Sequence, residues 1–289
     1  MDDIQQYLNK FMERENNLGR AQFERYSPIE IEYLIHYPFE PNSPIALLKG
    51  TDSDYDKIPI LNQVKYLLNR INETKSIKLT QAGYLPTKLV RVTLDQNFLN
   101  LNDPERNFIA NKELDSPFLH LTMNLMTISG LVKKQKGTIS LPGKTKRILD
   151  NNEALFRKIF ETFVLKYNWA YNTWGNEEKI GQLGFGFTLV LISKYGNIYR
   201  PYSFYAQKYF TAFPALLSSV NSLYGSSQEF AYEIYRLRSF TSQNKYFNLF
   251  DVQDNEDWKN PKVLVKKSVL FDRLIKCEPH KVRPSPFGN

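Results

Sequence analysis

From Ile58 to Leu149 the hydrophobic period changes several times, and each change marks an element. "ILNQVKYLLNRIN" sets Ile60, Val64, Leu67, Leu68 and Ile71 at helical spacing. "SIKLT", Ser76 to Thr80, alternates like a short strand, "QAGY" turns, and Pro86 opens a helix through "TKLVRVTL". Residues 96–116 are polar and mixed, as in a loop or a short helical insertion. "SPFLHLTMNLMTISG" predicts a helix with Ser116 as its cap and Gly130 as its stop. "SGLVKKQKGTISLPGKTKRIL" alternates, turns at Gln135-Lys136-Gly137 and alternates again. It predicts an antiparallel hairpin over 131–141, paired with the strand near Ile77 to Thr80. Ile139 and Leu141 then point inward, Thr138 and Ser140 outward. Pro142 and Gly143 lead into another helix.

Before this region, residues 1–22 read as a polar helix. A second helix starts with Ser27 as cap, Pro28 in the first turn and Glu30 closing a capping box. "YPFEPNSP" stops it, because three prolines in so short a run forbid a continuous helix. "KGTDSDYDK" reads as a polar loop. Residues 150–245 read as helical and rich in rings, with Gly196 as a stop. "YFNLFDV" and "KVLVKKSVLF" then look like paired strands, Tyr246 to Val252 and Lys262 to Phe271, and "CEPHKVRPSPFGN" reads as a loose tail.

The order helix, strand, helix, helix, strand, turn, strand resembles that of a winged helix, a variant of the helix-turn-helix unit. The expected class is mainly α with small β-hairpins, in which winged-helix-like units flank an aromatic helical domain. Its divisions are an N-terminal helical extension (1–57), a winged-helix-like domain (58–149), a helical domain (150–245), a C-terminal hairpin (246–276) that can belong to a second such unit, and a tail (277–289).

Lys and Arg number 38 against 30 Asp and Glu, for a net charge of +8. Such a balance favours anionic partners without dictating a fold. Cys277 is the single cysteine, which rules out an intramolecular disulfide and suits a reducing cytosol. The opening "MDDIQQYLNKFMEREN" lacks the character of a secretory signal, and no apolar run approaches the ~20 residues that span a bilayer. A cytoplasmic protein with no membrane partner is expected.

"SPIEIEYLIHYPFEPNSPI", "KLTQAGYLPTKLV", "LGFGFTLVLISKYG" and "LFDRLI" together resemble an uncharacterised family of bacterial proteins. The resemblance implies a bacterial cytoplasmic origin. It carries no activity, cofactor or catalytic residue to any position here.

The wing supplies the nucleic-acid candidates: Lys133, Lys134, Lys136, Lys144, Lys146 and Arg147. Cations on a hairpin can lie along a phosphate backbone and make binding salt-dependent without reading sequence. The plainer alternative is a solvated surface hairpin. The helix before the wing is a poor reader of bases, since no Arg or Lys lies between Phe118 and Ser129. "GQLGFG", Gly181 to Gly186, has neither the dinucleotide nor the Walker spacing, and close helix packing is the better reading. His36, His120 and His280 lie far apart without metal-ligand spacing, so no cofactor or metal is expected. Cys277 with His280 is too slight a pattern for a nucleophile. The rings of "YNWAYNTW" and "RPYSFYAQKYF" suit a core better than base stacking. The expectation is a non-enzymatic protein that binds nucleic acid, with DNA contacted through the basic wing. A protein-interaction scaffold is the alternative, and an enzyme on the helical domain the third reading.

Overall fold

In the computed structural model, which describes residues 2–99, 111–172, 179–220, 225–255 and 262–281, the elements follow the hydrophobic periods. α1 (Asp2–Asn17) and α2 (Pro28–His36) lead to β1 (Ile45–Leu47). Then come α3 (Asp52–Tyr55), α4 (Pro59–Glu73), β2 (Ser76–Lys78), α5 (Thr87–Leu94) and α6 (Pro117–Ile128). β3 (Lys133–Gln135) and β4 (Thr138–Ser140) precede α7 (Gly143–Lys146) and α8 (Asn152–Leu165). α9 (Phe185–Tyr195), β5 (Arg200–Pro201), α10 (Tyr202–Ala212), α11 (Pro214–Ser218) and α12 (Ser227–Arg236) run into a π-helical turn, Leu237–Ser242, and α13 (Gln243–Phe247). β6 (Phe250–Gln253), β7 (Leu264–Lys267), α14 (Val269–Leu274) and β8 (Ile275–Cys277) close the described chain. The chain is mainly helical, with small antiparallel sheets. No described helix is long and apolar enough to cross a membrane.

The chain folds as two units, residues 49–172 with 242–249, and residues 1–48, 173–241 and 250–289. Consecutive division at 57, 149 and 245 thus differs from the contacts. β1 pairs with β8 across most of the sequence, Ile45 facing Cys277.

In the unit that contains 49–172, α4, α6 and α8 bury their apolar stripes together. α13 adds Tyr246, stacked on Phe118 at 5.6 Å, and Phe247, against Phe160 at 5.0 Å. The hairpin forms as its alternation predicts. β4 lies between β2 and β3, with Ile77 opposite Ile139 and Lys133 opposite Ser140. Lys136 and Gly137 take the positive φ values, +50° and +69°, that the tight turn requires.

In the other unit, β7 lies between β5 and β6. The order α9, β5, α10, α12, β6, β7 places the last strand of the hairpin at the centre, as α4, β2, α5, α6, β3, β4 does in the first unit. α9 is buried from Phe185 to Ile192 and packs on α2.

Several expectations are corrected. Tyr246 and Phe247 end a helix rather than begin a strand. Residues 269–274 are helical because the Ser268 hydroxyl caps the Phe271 N–H at 3.2 Å, which starts a turn that buries Leu270, Phe271 and Leu274. "KGTDSDYDK" contains α3, started by a reciprocal Thr51–Asp54 capping box. Arg200–Pro201 interrupts the helical stretch with a strand. Residues 277–281 are tied down: β8 pairs with β1, Glu278 donates its N–H to the Pro44 carbonyl at 2.8 Å, and Tyr26 donates to the Glu278 carbonyl. The 96–116 insertion lies outside the described residues over 100–110, and the tail does so beyond 281.

Candidate nucleic-acid interface

The register of the β2–β4–β3 sheet decides where the wing cations point. Residues directly opposite one another share a face. One face carries Ile77, Ile139 and Lys134, with Ile139 fully buried. The other carries Ser76, Ser140 and Lys133 in one row and Lys78, Thr138 and Gln135 in the next. Lys75 precedes β2 and Lys136 sits in the hairpin turn, both exposed. The outer face is therefore a strip of short hydroxyls flanked by Lys78 on one edge strand and Lys133 on the other. The two edge strands are about 9.6 Å apart, two inter-strand spacings.

No Asp or Glu occurs in residues 75–94 or 116–149. Among the described residues, Lys75, Lys78, Lys133, Lys136, Lys146 and Arg147 enter no ion pair. The nearby Glu73 carboxylate is held by Arg70 at 3.0 Å. In the other unit the β5–β7–β6 sheet is neutralised instead, Lys266 pairing with Asp251 at 3.4 Å and Lys267 with Asp272 at 2.8 Å.

The six sequence candidates separate on this geometry. Lys133 belongs to the outer face, and Lys136 is exposed in the turn beside it. Lys134 lies on the opposite face and donates to the Gly83 carbonyl at 3.1 Å, which fastens the turn after β2. Lys144 extends its ammonium toward Gly130, the left-handed residue that follows α6; a Cβ there would lie 3.6 Å from Nζ. It complements the negative end of α6. Lys146 and Arg147 are exposed on and just after α7. Lys75 and Lys78 were missing from the expectation. Only the pairing of β2 with β4 brings them to the wing, and the alternation in "KSIKLT" was the available signal.

α6 is buried almost all round, from Phe118 through Met126. Thr122 accepts a 2.8 Å bond from the Gln63 side chain of α4. His120 contacts the buried Glu113 carboxylate at 3.0 Å, and that carboxylate also accepts the Leu85 N–H at 3.0 Å. Thr122 and His120 thus serve the interior. Arg91, on α5, donates its Nε to Asn111 at 2.8 Å.

The remaining candidates resolve into structure. Around Gly181–Gly186 several backbone donors are already engaged. Gly181 donates to the Tyr209 hydroxyl at 3.1 Å, Leu183 to Lys179 at 2.9 Å, Phe185 to Gln182 at 3.1 Å and Phe187 to Gly184 at 2.8 Å. Gly184 (φ +71°) lies against the Phe213 ring, whereas Gly186 lies against the Leu34 carbonyl and Pro38, not against a ring as its aromatic neighbours in sequence imply.

Cys277 and His280 line a cavity of about 530 Å³ with Tyr26, Ser193 and Lys194. Burial pushes the Cys277 thiol up to about 12, against a smaller opposing effect of its Ser193 hydrogen bond, so it is no thiolate at neutral pH. His280 places Nδ1 2.6 Å from the Glu30 carboxylate. Trp169 and Tyr209 are core residues. Trp174 lies outside the described residues. Comparison with family models, curated proteins and solved structures finds no match for this chain.

Proposed function

We propose that residues 58–149 form a winged-helix-like module that binds duplex DNA through the outer face of its wing sheet, without reading base sequence. The observation that supports this reading is the carboxylate-free strip carrying Lys78 and Lys133, with Lys75 and Lys136 exposed next to it. Ammonium groups on that face replace counterions along the phosphates, so binding weakens as salt rises. Ser76, Thr138 and Ser140 are too short to reach a base edge, and the helix that would enter the major groove in a reader of sequence spends its side chains on the core. The same element order around the β5–β7–β6 sheet makes the other unit a second winged-helix-like module, whose paired charges fit it for a structural role.

The test is fluorescence anisotropy with duplexes of unrelated sequence over a salt series. Replacing Lys78, Lys133 and Lys136 together by Ala should weaken all duplexes alike, roughly ten- to hundredfold, and reduce the salt slope by about 2.7. Folding should be unchanged, since exposed substitutions usually alter stability by less than ~0.5 kcal/mol. Loss confined to one sequence would mean that the wing reads bases. No duplex binding by the wild type at low salt would dispose of the proposal and leave the interaction scaffold.

A further inference from the structure

α1 departs from the rule that amphipathic helices bury their apolar stripe. Ile4, Tyr7, Leu8, Phe11 and Met12 form one continuous stripe on this helix, yet each is between 45 and 69 % exposed. Leu18, just beyond the helix, is 50 % exposed. Such a stripe presents on the order of 600 Å² of apolar surface, at the upper end of what monomers tolerate. Scattered exposed apolar residues need no explanation, but six on one short segment do.

We infer that α1 pairs antiparallel with α1 of a second copy of this chain. The spacing of Ile4, Tyr7, Leu8 and Phe11 is three, one, three, which reads the same in both directions. A two-fold axis between Tyr7 and Leu8 therefore sets Ile4 of each copy on Phe11 of the other and Tyr7 on Leu8. This self-complementarity is what an isologous interface requires. Two such faces bury on the order of 1,200 Å² in total, enough for a specific though modest dimer. A lipid surface is the less suitable occupant. Membrane-surface helices carry a strongly basic polar face, whereas here Glu13 and Glu15 offset Lys10 and Arg14.

Sedimentation equilibrium on the full chain from roughly 1 to 100 μM should show a shift from 33.9 kDa to twice that mass. Leu8→Glu should abolish the shift while leaving the far-UV circular dichroism of the chain unchanged, because Leu8 is already 45 % exposed in its own chain. Direction is read by a short thiol cross-linker in a Cys277→Ser background. Mixed Ile4→Cys and Phe11→Cys chains should cross-link to each other, and neither should cross-link to itself. A wild type that stays monomeric throughout, a dimer that survives Leu8→Glu, self-cross-linking of the Ile4→Cys chain, or vesicle binding without self-association would each overturn the inference. A Cys277→Ser chain whose mass shift differs from that of the wild type would be replaced by a Cys277→Ala chain before the cross-links are read.

Discussion

Gly186→Ala should destabilise the unit that contains α9 by about 3 kcal/mol or more, the expected outcome of forcing backbone apart. A Cβ at Gly186 would lie 2.4 Å from the Leu34 carbonyl oxygen and 3.1 Å from Pro38 Cβ. No rotamer change relieves a collision with main chain. α9 must therefore move away from α2, and its neighbours Phe185 and Phe187, both buried, must move with it. Gly184→Ala meets a different obstacle, a left-handed backbone at φ +71° and the Phe213 ring at 2.4 Å. That ring can tilt, so part of the cost is recoverable. Gly143→Ala is the control, with nothing within 4 Å of its Cβ and an ordinary φ. It should be neutral or stabilising by up to ~1 kcal/mol. Denaturant unfolding, followed separately for the two units by hydrogen exchange, reads these effects without assuming a single transition. A Gly186→Ala chain as stable as the wild type would show that the approach of α9 to α2 is looser than these distances imply.

What the sequence discloses divides by range. Local signals were legible. The Ser27–Glu30 capping box, the Ser116 cap, the Lys136-Gly137 turn and the Gly196 stop all lie within a few residues of what they control, and each forms. Pairing across long separations was legible only for β2 with β4, where two alternating segments face each other, and not elsewhere. Nothing near Ile45 announces Cys277 as its strand partner, and nothing near Arg200 announces Val265. The half-read wing has a different cause. Lys133 and Lys136 are visible in the hairpin itself, while Lys78 lies on the strand expected beside it and the alternation of that strand was not followed to its outer face. Burial of α6 was foreseeable from its lack of Arg and Lys. Apolar content misled in α14, where a run with Val and Leu resembled a strand until the Ser268 cap was taken into account.

Glu30→Ala should cost the same unit about 3 kcal/mol and free residues 277–281. The Glu30 side chain is 2 % exposed and accepts the Ser27 N–H and hydroxyl, both at 2.9 Å, and the Lys281 N–H at 3.1 Å. His280 approaches it at 2.6 Å, and since an ionised carboxylate only accepts, the His280 Nδ1 carries the hydrogen. Removing the carboxylate strands these donors together, and buried donors left without acceptors are expensive. Burial alone would raise the Glu30 pKa, but the bonds from Ser27, His280 and Lys281 outweigh it and hold it below the ordinary value of 4.5. Glu24 behaves alike. Burial opposes ionisation there too, yet Lys194 at 2.6 Å, Lys208 at 2.8 Å and the Tyr195 hydroxyl at 2.7 Å hold its pKa at about 2. Both folded values lie below the unfolded one, so the unfolded chain binds protons first as pH falls. The stability these carboxylates contribute is complete above about pH 5 and drains away as pH falls toward 2. Glu30→Gln, which keeps the shape but cannot ionise, should flatten part of that decline while lowering stability at pH 7. Hydrogen exchange should show faster opening of β8 and residues 278–281 in the Ala variant. Unfolding midpoints of Glu30→Gln that run parallel to the wild type from pH 7 to pH 3 would mean that Glu30 contributes no acid sensitivity.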